Sequence, residues 1–263
     1  MWGTGDSMDP AARRTSRASS FGAQAAVYAD HRPDYPAAAI RWALQPVGRT
    51  DVTVLDLGAG TGKLTDGLLA AGAEAIAVEP DAAMLAELVR RYPSVTARSG
   101  AAEAIPLPDG SVDAVVAGQA FHWFDQDRAF PEIARVLRPG GVFAAFWNTD
   151  DTSAEWVAGL QRVSRSEVSF TPPEDEEKLP AHPLFATFEK AEFPHSQRRT
   201  AESLVTTIGT HSHTVVIPPE QRTALLDRIR AYLRATPATA EGEFDFPLRT
   251  EVIRAVLRES PRH

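Results

Sequence analysis

Val-Thr-Val-Leu-Asp-Leu-Gly-Ala-Gly-Thr-Gly-Lys-Leu-Thr, residues 52–65, is the stretch around which the rest of the chain arranges itself. A short β-branched run ends at Asp56, a glycine-dense turn follows, and an apolar-periodic segment opens at Leu64, so the stretch reads as strand, tight turn and helix. Gly58, Gly60 and Gly62 supply positive φ angles and let the backbone approach a ligand, with Ala59 between them and a helix N-terminus behind. Three nucleotide classes compete for such a turn. A dinucleotide fold wants Gly-x-Gly-x-x-Gly, but Lys63 stands where the third glycine belongs. A phosphate-binding loop wants a glycine where Leu57 stands and a Ser or Thr where Leu64 stands. Both of those fingerprints fail.

The downstream acids narrow the choice. Ala75 to Val78 reads as a second strand closing at Glu79 and Pro80, about twenty residues past the turn, where nucleotide folds place an acid on the ribose hydroxyls. Asp81, by contrast, precedes the apolar-periodic segment Ala82 to Arg91 and fits a helix cap. Val95 to Arg98, Val112 to Gly118 and Val142 to Trp147 read as further strands, and the second of these is an apolar run but for Asp113, consistent with a buried parallel strand. It empties into Gln119-Ala-Phe-His-Trp-Phe-Asp, and ligands in open α/β sheets sit beyond such strand ends. Ala129 to Leu137 is helical in spacing and stops at Arg138-Pro-Gly-Gly.

Asp56 to Gly62, as Asp-x-Gly-x-Gly-x-Gly, resembles the first motif of the class I S-adenosylmethionine-dependent methyltransferases, and the Leu-Arg-Pro-Gly-Gly turn at 137–141 is similar to theirs. The His-Trp-Phe segment at 122–124 resembles a small-molecule subgroup, near the trans-aconitate and the ubiquinone and menaquinone types. The resemblance runs from residue 21 to 148 and implies a Rossmann-like α/β fold: a seven-stranded, mostly parallel sheet with helices on both faces and a helical cap insertion. It implies S-adenosylmethionine as cofactor and S-adenosylhomocysteine as product. Carried over residue by residue, it implies cofactor contacts at Tyr28, Arg32, Asp56, Gly58, Ala59, Gly60, Gly62, Glu79, Pro80, Ala101, Ala102 and Gln119. Arg32 suits the carboxylate tail of the cofactor, since a guanidinium pairs bidentately with a carboxylate. Tyr35, Phe121, Trp123, Asn148, His211 and His213 are the expected substrate-pocket residues, and His122 is the candidate general base.

Bulk properties set the outer limits. With 263 residues the chain can bury one α/β core, and a formal charge of −8 lacks the basic excess of a nucleic-acid binder. No cysteine is present, which excludes thiolate nucleophiles and thiolate metal sites. His211 and His213 alone make a poor metal site, so no metal is expected. Residues 1–20 read as a disordered leader in which Met8 offers a second start, and 21–263 as one domain with cap or lid elements in 21–45, 150–184 and 200–240. The proline-flanked acidic run near 174–177 is either solvated surface or a lid. Phe185 to Phe193 and Phe244 to Val256 alternate as the sixth and seventh strands, with Pro247 marking a bulge, an end or an edge. No run is long enough to span a bilayer, so the expectation is a cytoplasmic monomer or homodimer with a small-molecule partner and neither nucleic acid nor membrane.

Overall fold

The computed structural model describes residues 32–165, 179, 181–209, 214 and 217–258. The expected leader, Tyr28, the acidic run near 174–177, His211 and His213 lie outside these residues.

Seven strands build a single sheet: β1 (Thr53–Leu57), β2 (Glu74–Glu79), β3 (Thr96–Ser99), β4 (Val112–Gly118), β5 (Leu137–Asp150), β6 (Glu189–Thr200) and β7 (Glu243–Val256). Their order is β3-β2-β1-β4-β5-β7-β6, parallel from β3 through β5, with β7 antiparallel to both β5 and β6. The chain reverses direction across the sheet between β1 and β4, which opens a crevice beyond their carboxyl ends.

Both faces of the central strands are buried, which is why they are mostly apolar instead of alternating, with Asp56 and Asp113 the buried acids within them. Leu55, Val115, Phe143 and Ala145 point to one side, beneath α4 (Gln126–Val136) with its Phe130 and Ile133. Val54, Ala114, Val116, Ala144 and Phe146 point to the other, beneath α1 (Ala37–Leu44) and α2 (Lys63–Ala70). The helix α3 (Ala82–Arg91) covers β2 and β3, and it is capped by Asp81, whose side chain accepts from the N–H groups of Ala83 and Met84. Such a cap contributes about 1 kcal/mol.

A second apolar cluster lies at the far end of the β6–β7 ribbon. There α5 (Glu155–Val163), α6 (Ala201–Gly209) and α7 (Pro219–Ala235) gather Leu160, Leu204, Ile229 and Leu233 against Phe244, Phe246 and Leu248. Pro247 falls where β7 has outrun β5 and pairs only with β6, so its missing N–H costs no ladder bond on the β5 side. The ribbon is tied to α1 by Arg254, which pairs with Glu189, bonds the Trp42 carbonyl and stacks 3.9 Å over the Trp42 ring. Among the described residues no helix is long and apolar enough to cross a membrane.

Candidate active site

A cavity of about 800 Å³ opens at the carboxyl ends of β1, β2, β4 and β5, within the ~300–1,000 Å³ range usual for small-ligand sites. Asp56, Gly58, Ala59 and Gly60 line it from the β1 exit, Glu79 and Pro80 from the β2 exit, and Ala101 and Ala102 from the turn after β3. Gln119, His122 and Trp123 enter from the β4 exit, Asn148 from β5, and Arg32 and Tyr35 from the approach to α1. The lining also takes in Thr61, Met84, Glu103 and Arg128, which sequence reasoning did not single out. These are ordinary helix and turn residues with no local signal. Among the described residues, none from α5, α6 or α7 lines the cavity.

The turn after β1 is built by its glycines in two ways. Gly58 has φ +70° and donates to the Val78 carbonyl at 2.8 Å, and a Cβ there would stand 2.8 Å from that of Ala120, so the turn seats against the β4 exit. Gly62 behaves otherwise. Its φ is +92° and a Cβ would meet the Tyr92 ring at 2.7 Å, so it lets the start of α2 pack on α3 and does not line the cavity. The expected cofactor contact at Gly62 is therefore corrected to a packing position.

Phe121 needs the same correction. It is fully buried, with its ring 5.6, 5.5 and 5.3 Å from those of Phe124, Phe130 and Phe143, and belongs to the core instead of the substrate pocket. The short 3-10 turn Phe121–Trp123 turns its first ring inward and leaves His122 and Trp123 at the cavity wall.

Glu79 is poised for a diol. The Gly60 N–H donates to one carboxylate oxygen at 2.8 Å and the Asp81 N–H to the other at 2.9 Å, leaving each oxygen further lone pairs. Burial pushes its pKa up, and the two backbone donors partly offset that. Asp56 is fully buried, and desolvation raises its pKa from 3.8 to about 7, although the Thr65 hydroxyl donates to it at 2.6 Å. Its other oxygen, and the buried hydroxyl of Thr61, have no partner within the protein among the described residues. Two orphaned polar atoms at the wall of an open cavity fit a polar ligand such as a nucleoside carrying an amino-acid tail. Glu79, Ala101, Ala102 and Arg32, the residues expected at the ribose, the adenine and the carboxylate tail, all line this one cavity.

At the β4 exit, Gln119 holds φ +54°, the one positive value at a non-glycine among the described residues. Such a conformation costs on the order of 1–3 kcal/mol and persists only where surrounding bonds impose it. Here they do: its N–H donates to the Phe146 carbonyl and its side-chain amide to the Asn148 carbonyl, both at 2.8 Å. His122 presents an exposed edge to the cavity, yet the protein around it desolvates the ring and pushes its pKa down to about 4. It is a neutral imidazole at pH 7, able to accept a proton. Lys63 is occupied by Asp34 at 2.6 Å.

Residues 55–145 match the family model described as a methyltransferase domain. A Mycobacterium tuberculosis protein known only as an uncharacterized methyltransferase is 40% identical over 239 residues, covering 90% of this chain and 96% of its own length. The chain belongs to the class I S-adenosylmethionine-dependent methyltransferases. An uncharacterized methyltransferase-like protein of Schizosaccharomyces pombe is 35% identical over 210 residues, 77% of this chain and 81% of its own. A solved structure from Anaeromyxobacter dehalogenans, provisionally designated a type II methyltransferase, shares 29% identity at a TM-score of 0.58, covering 88% of this chain and 99% of its own. The α/β fold of this methyltransferase, with its seven-stranded mixed sheet, is similar overall to that neighbour.

Proposed function

We propose that this methyltransferase moves a methyl group from S-adenosylmethionine to an O, N or C atom of a small molecule held beside Tyr35, His122, Trp123 and Asn148. One observation carries the reading: a single cavity runs from the Glu79 carboxylate and the glycine turn to the β4 and β5 exits, so one ligand end can be gripped while the other meets a second molecule. Bound S-adenosylmethionine supplies a methyl already activated on a sulfonium centre. The protein is left with alignment and exclusion of water, and alignment alone can supply about 7–11 kcal/mol of a barrier. Glu79 holds the ribose hydroxyls, Arg32 the carboxylate tail, and Ala101 and Ala102 leave room for the adenine.

Gln119, fixed by two bonds to β5, would give the bound donor and acceptor a rigid wall at the β4 exit. His122, neutral and accepting, takes the proton of a hydroxyl or amine acceptor and has no proton to take from a carboxylate. The Trp123 face attracts positive charge at the reacting centre. The formal charge of −8 favours a small molecule over RNA as the acceptor. The test is transfer from methyl-labelled S-adenosylmethionine into a fractionated cell extract. Label among low-mass organics is expected; label confined to RNA or protein overturns the substrate class, and no label despite donor binding overturns the catalytic reading.

A further inference from the structure

A hydrogen-bond relay runs from the mouth of the cavity into the sheet, and its proton positions can be deduced from one backbone carbonyl. The Asn148 Nδ2 lies 3.2 Å from the Asp34 main-chain oxygen. A carbonyl only accepts, so the amide NH2 is on that side and Oδ1 faces the other way. There it meets the Thr250 hydroxyl at 2.5 Å, and since Oδ1 only accepts, the single Thr250 proton is spent on it. The His195 Nε2 lies 2.9 Å from the same hydroxyl and must therefore donate, which fixes the imidazole as the Nε2–H form. Thr250 is fully buried, and the sheet register sets it opposite Asn148 on β5 and Phe193 on β6.

Nδ2 carries two hydrogens, and Asp34 takes one. The other has no partner among the described residues, and Asn148 lines the cavity. The neighbouring Gln119 gives one amide hydrogen to the Asn148 carbonyl and keeps both its other hydrogen and an acceptor oxygen. Asn148 is thus a donor whose orientation the relay fixes on the wall at the β4 and β5 exits. We infer that Asn148, held as a donor by Thr250 and His195, binds and orients an acceptor oxygen of the methyl acceptor, so that the substrate carries an oxygen-bearing group at that position. A hydrocarbon or an ammonium group in its place would leave this N–H facing nothing or a donor, at about 1–3 kcal/mol for a desolvated polar group. His195 does not line the cavity and is a positioning residue, acting through Thr250.

The inference rests on the proposed reaction, and the test separates the two. S-adenosylhomocysteine affinity is measured by calorimetry for the full chain and for Thr250→Val, His195→Leu and His195→Gln; all four should agree within about twofold, since none of these residues lines the cavity. Label transfer into a protein-free extract should fall at least tenfold in Thr250→Val and His195→Leu. His195→Gln should stay within about threefold of the parent, because the glutamine NH2 replaces the Nε2–H donor. Mass spectrometry of the labelled product should show an oxygen-bearing group, and ring-nitrogen NMR should show His195 protonated at Nε2. A labelled product without such an oxygen, an Nδ1–H form of His195, or full transfer by Thr250→Val overturns the inference alone. Failure of the parent to bind S-adenosylhomocysteine, or binding without any label, overturns the proposed reaction and the substrate class with it.

Discussion

Glu79→Gln isolates the contribution of one carboxylate to donor binding. Both oxygens already accept backbone N–H groups, from Gly60 and Asp81, so the side chain is held in place before any ligand arrives. Glutamine keeps the shape but turns one acceptor into a donor, set against a backbone N–H, and removes the charge that strengthens bonds to ribose hydroxyls. Hydrogen bonds to a charged group contribute about 1.5–3 kcal/mol, and at about 1.4 kcal/mol per decade the loss of one weakens S-adenosylhomocysteine binding roughly 10- to 150-fold. Stability moves less, because removing a buried charge offsets the unfavourable N–H contact; the melting temperature should shift by no more than a few degrees. Titration calorimetry with S-adenosylhomocysteine, alongside thermal melts, reads both quantities. A folded variant that binds within twofold of the parent would refute the assignment of Glu79 to the ligand.

Gly62→Ala should do the reverse: a positive φ at a non-glycine costs about 1–2 kcal/mol and the new methyl crowds Tyr92, so the melting temperature falls while S-adenosylhomocysteine affinity stays within twofold, and a large affinity loss would restore Gly62 to the site. Asp56→Asn should flatten the pH dependence of stability. Because the folded pKa lies above the unfolded one, the native state binds the extra proton, and stability falls as pH climbs from 3.8 to about 7. At about 1.4 kcal/mol per pH unit that slope amounts to about 4 kcal/mol, so melts at pH 8 should show the variant more stable than the parent, and an unchanged slope would contradict the buried charge. His122→Gln should lower turnover on a hydroxyl or amine acceptor about 10²-fold, and the parent's rate profile should show no inflection near 6.5, the ordinary imidazole value. An inflection there that vanishes in the variant would place His122 in an ordinary solvated setting.

Most of the sheet was legible because parallel strands buried on both faces leave largely apolar runs: β4, apolar but for Asp113, matches its expected bounds, as does α3 with its Asp81 cap. The edge strand was not. β6 spans Glu189–Thr200, not Phe185 to Phe193, because half its side chains face water and Pro194 interrupts the pattern, which an edge strand tolerates and an interior one does not. Phe185 instead forms a single bridge with Leu257 and fills the core. In the glycine turn, spacing marked the motif but not which glycine faces ligand and which faces a helix; only the approach of Tyr92 separates Gly62 from Gly58. Likewise Phe-His-Trp is three adjacent rings in sequence, and which of them turns inward depends on the aromatic cluster around Phe130 and Phe143. The Asn148, Thr250 and His195 relay joins residues on three strands and leaves no local pattern at all.

The most direct measurement is a crystal structure of the chain with S-adenosylhomocysteine. The account places the ribose hydroxyls on Glu79, the adenine beside Ala101 and Ala102, and the sulfur turned toward the space bounded by Gln119, His122 and Asn148. A ligand lying in the opposite sense, with its amino-acid tail at Glu79, or binding away from the β1 and β4 exits, would contradict it.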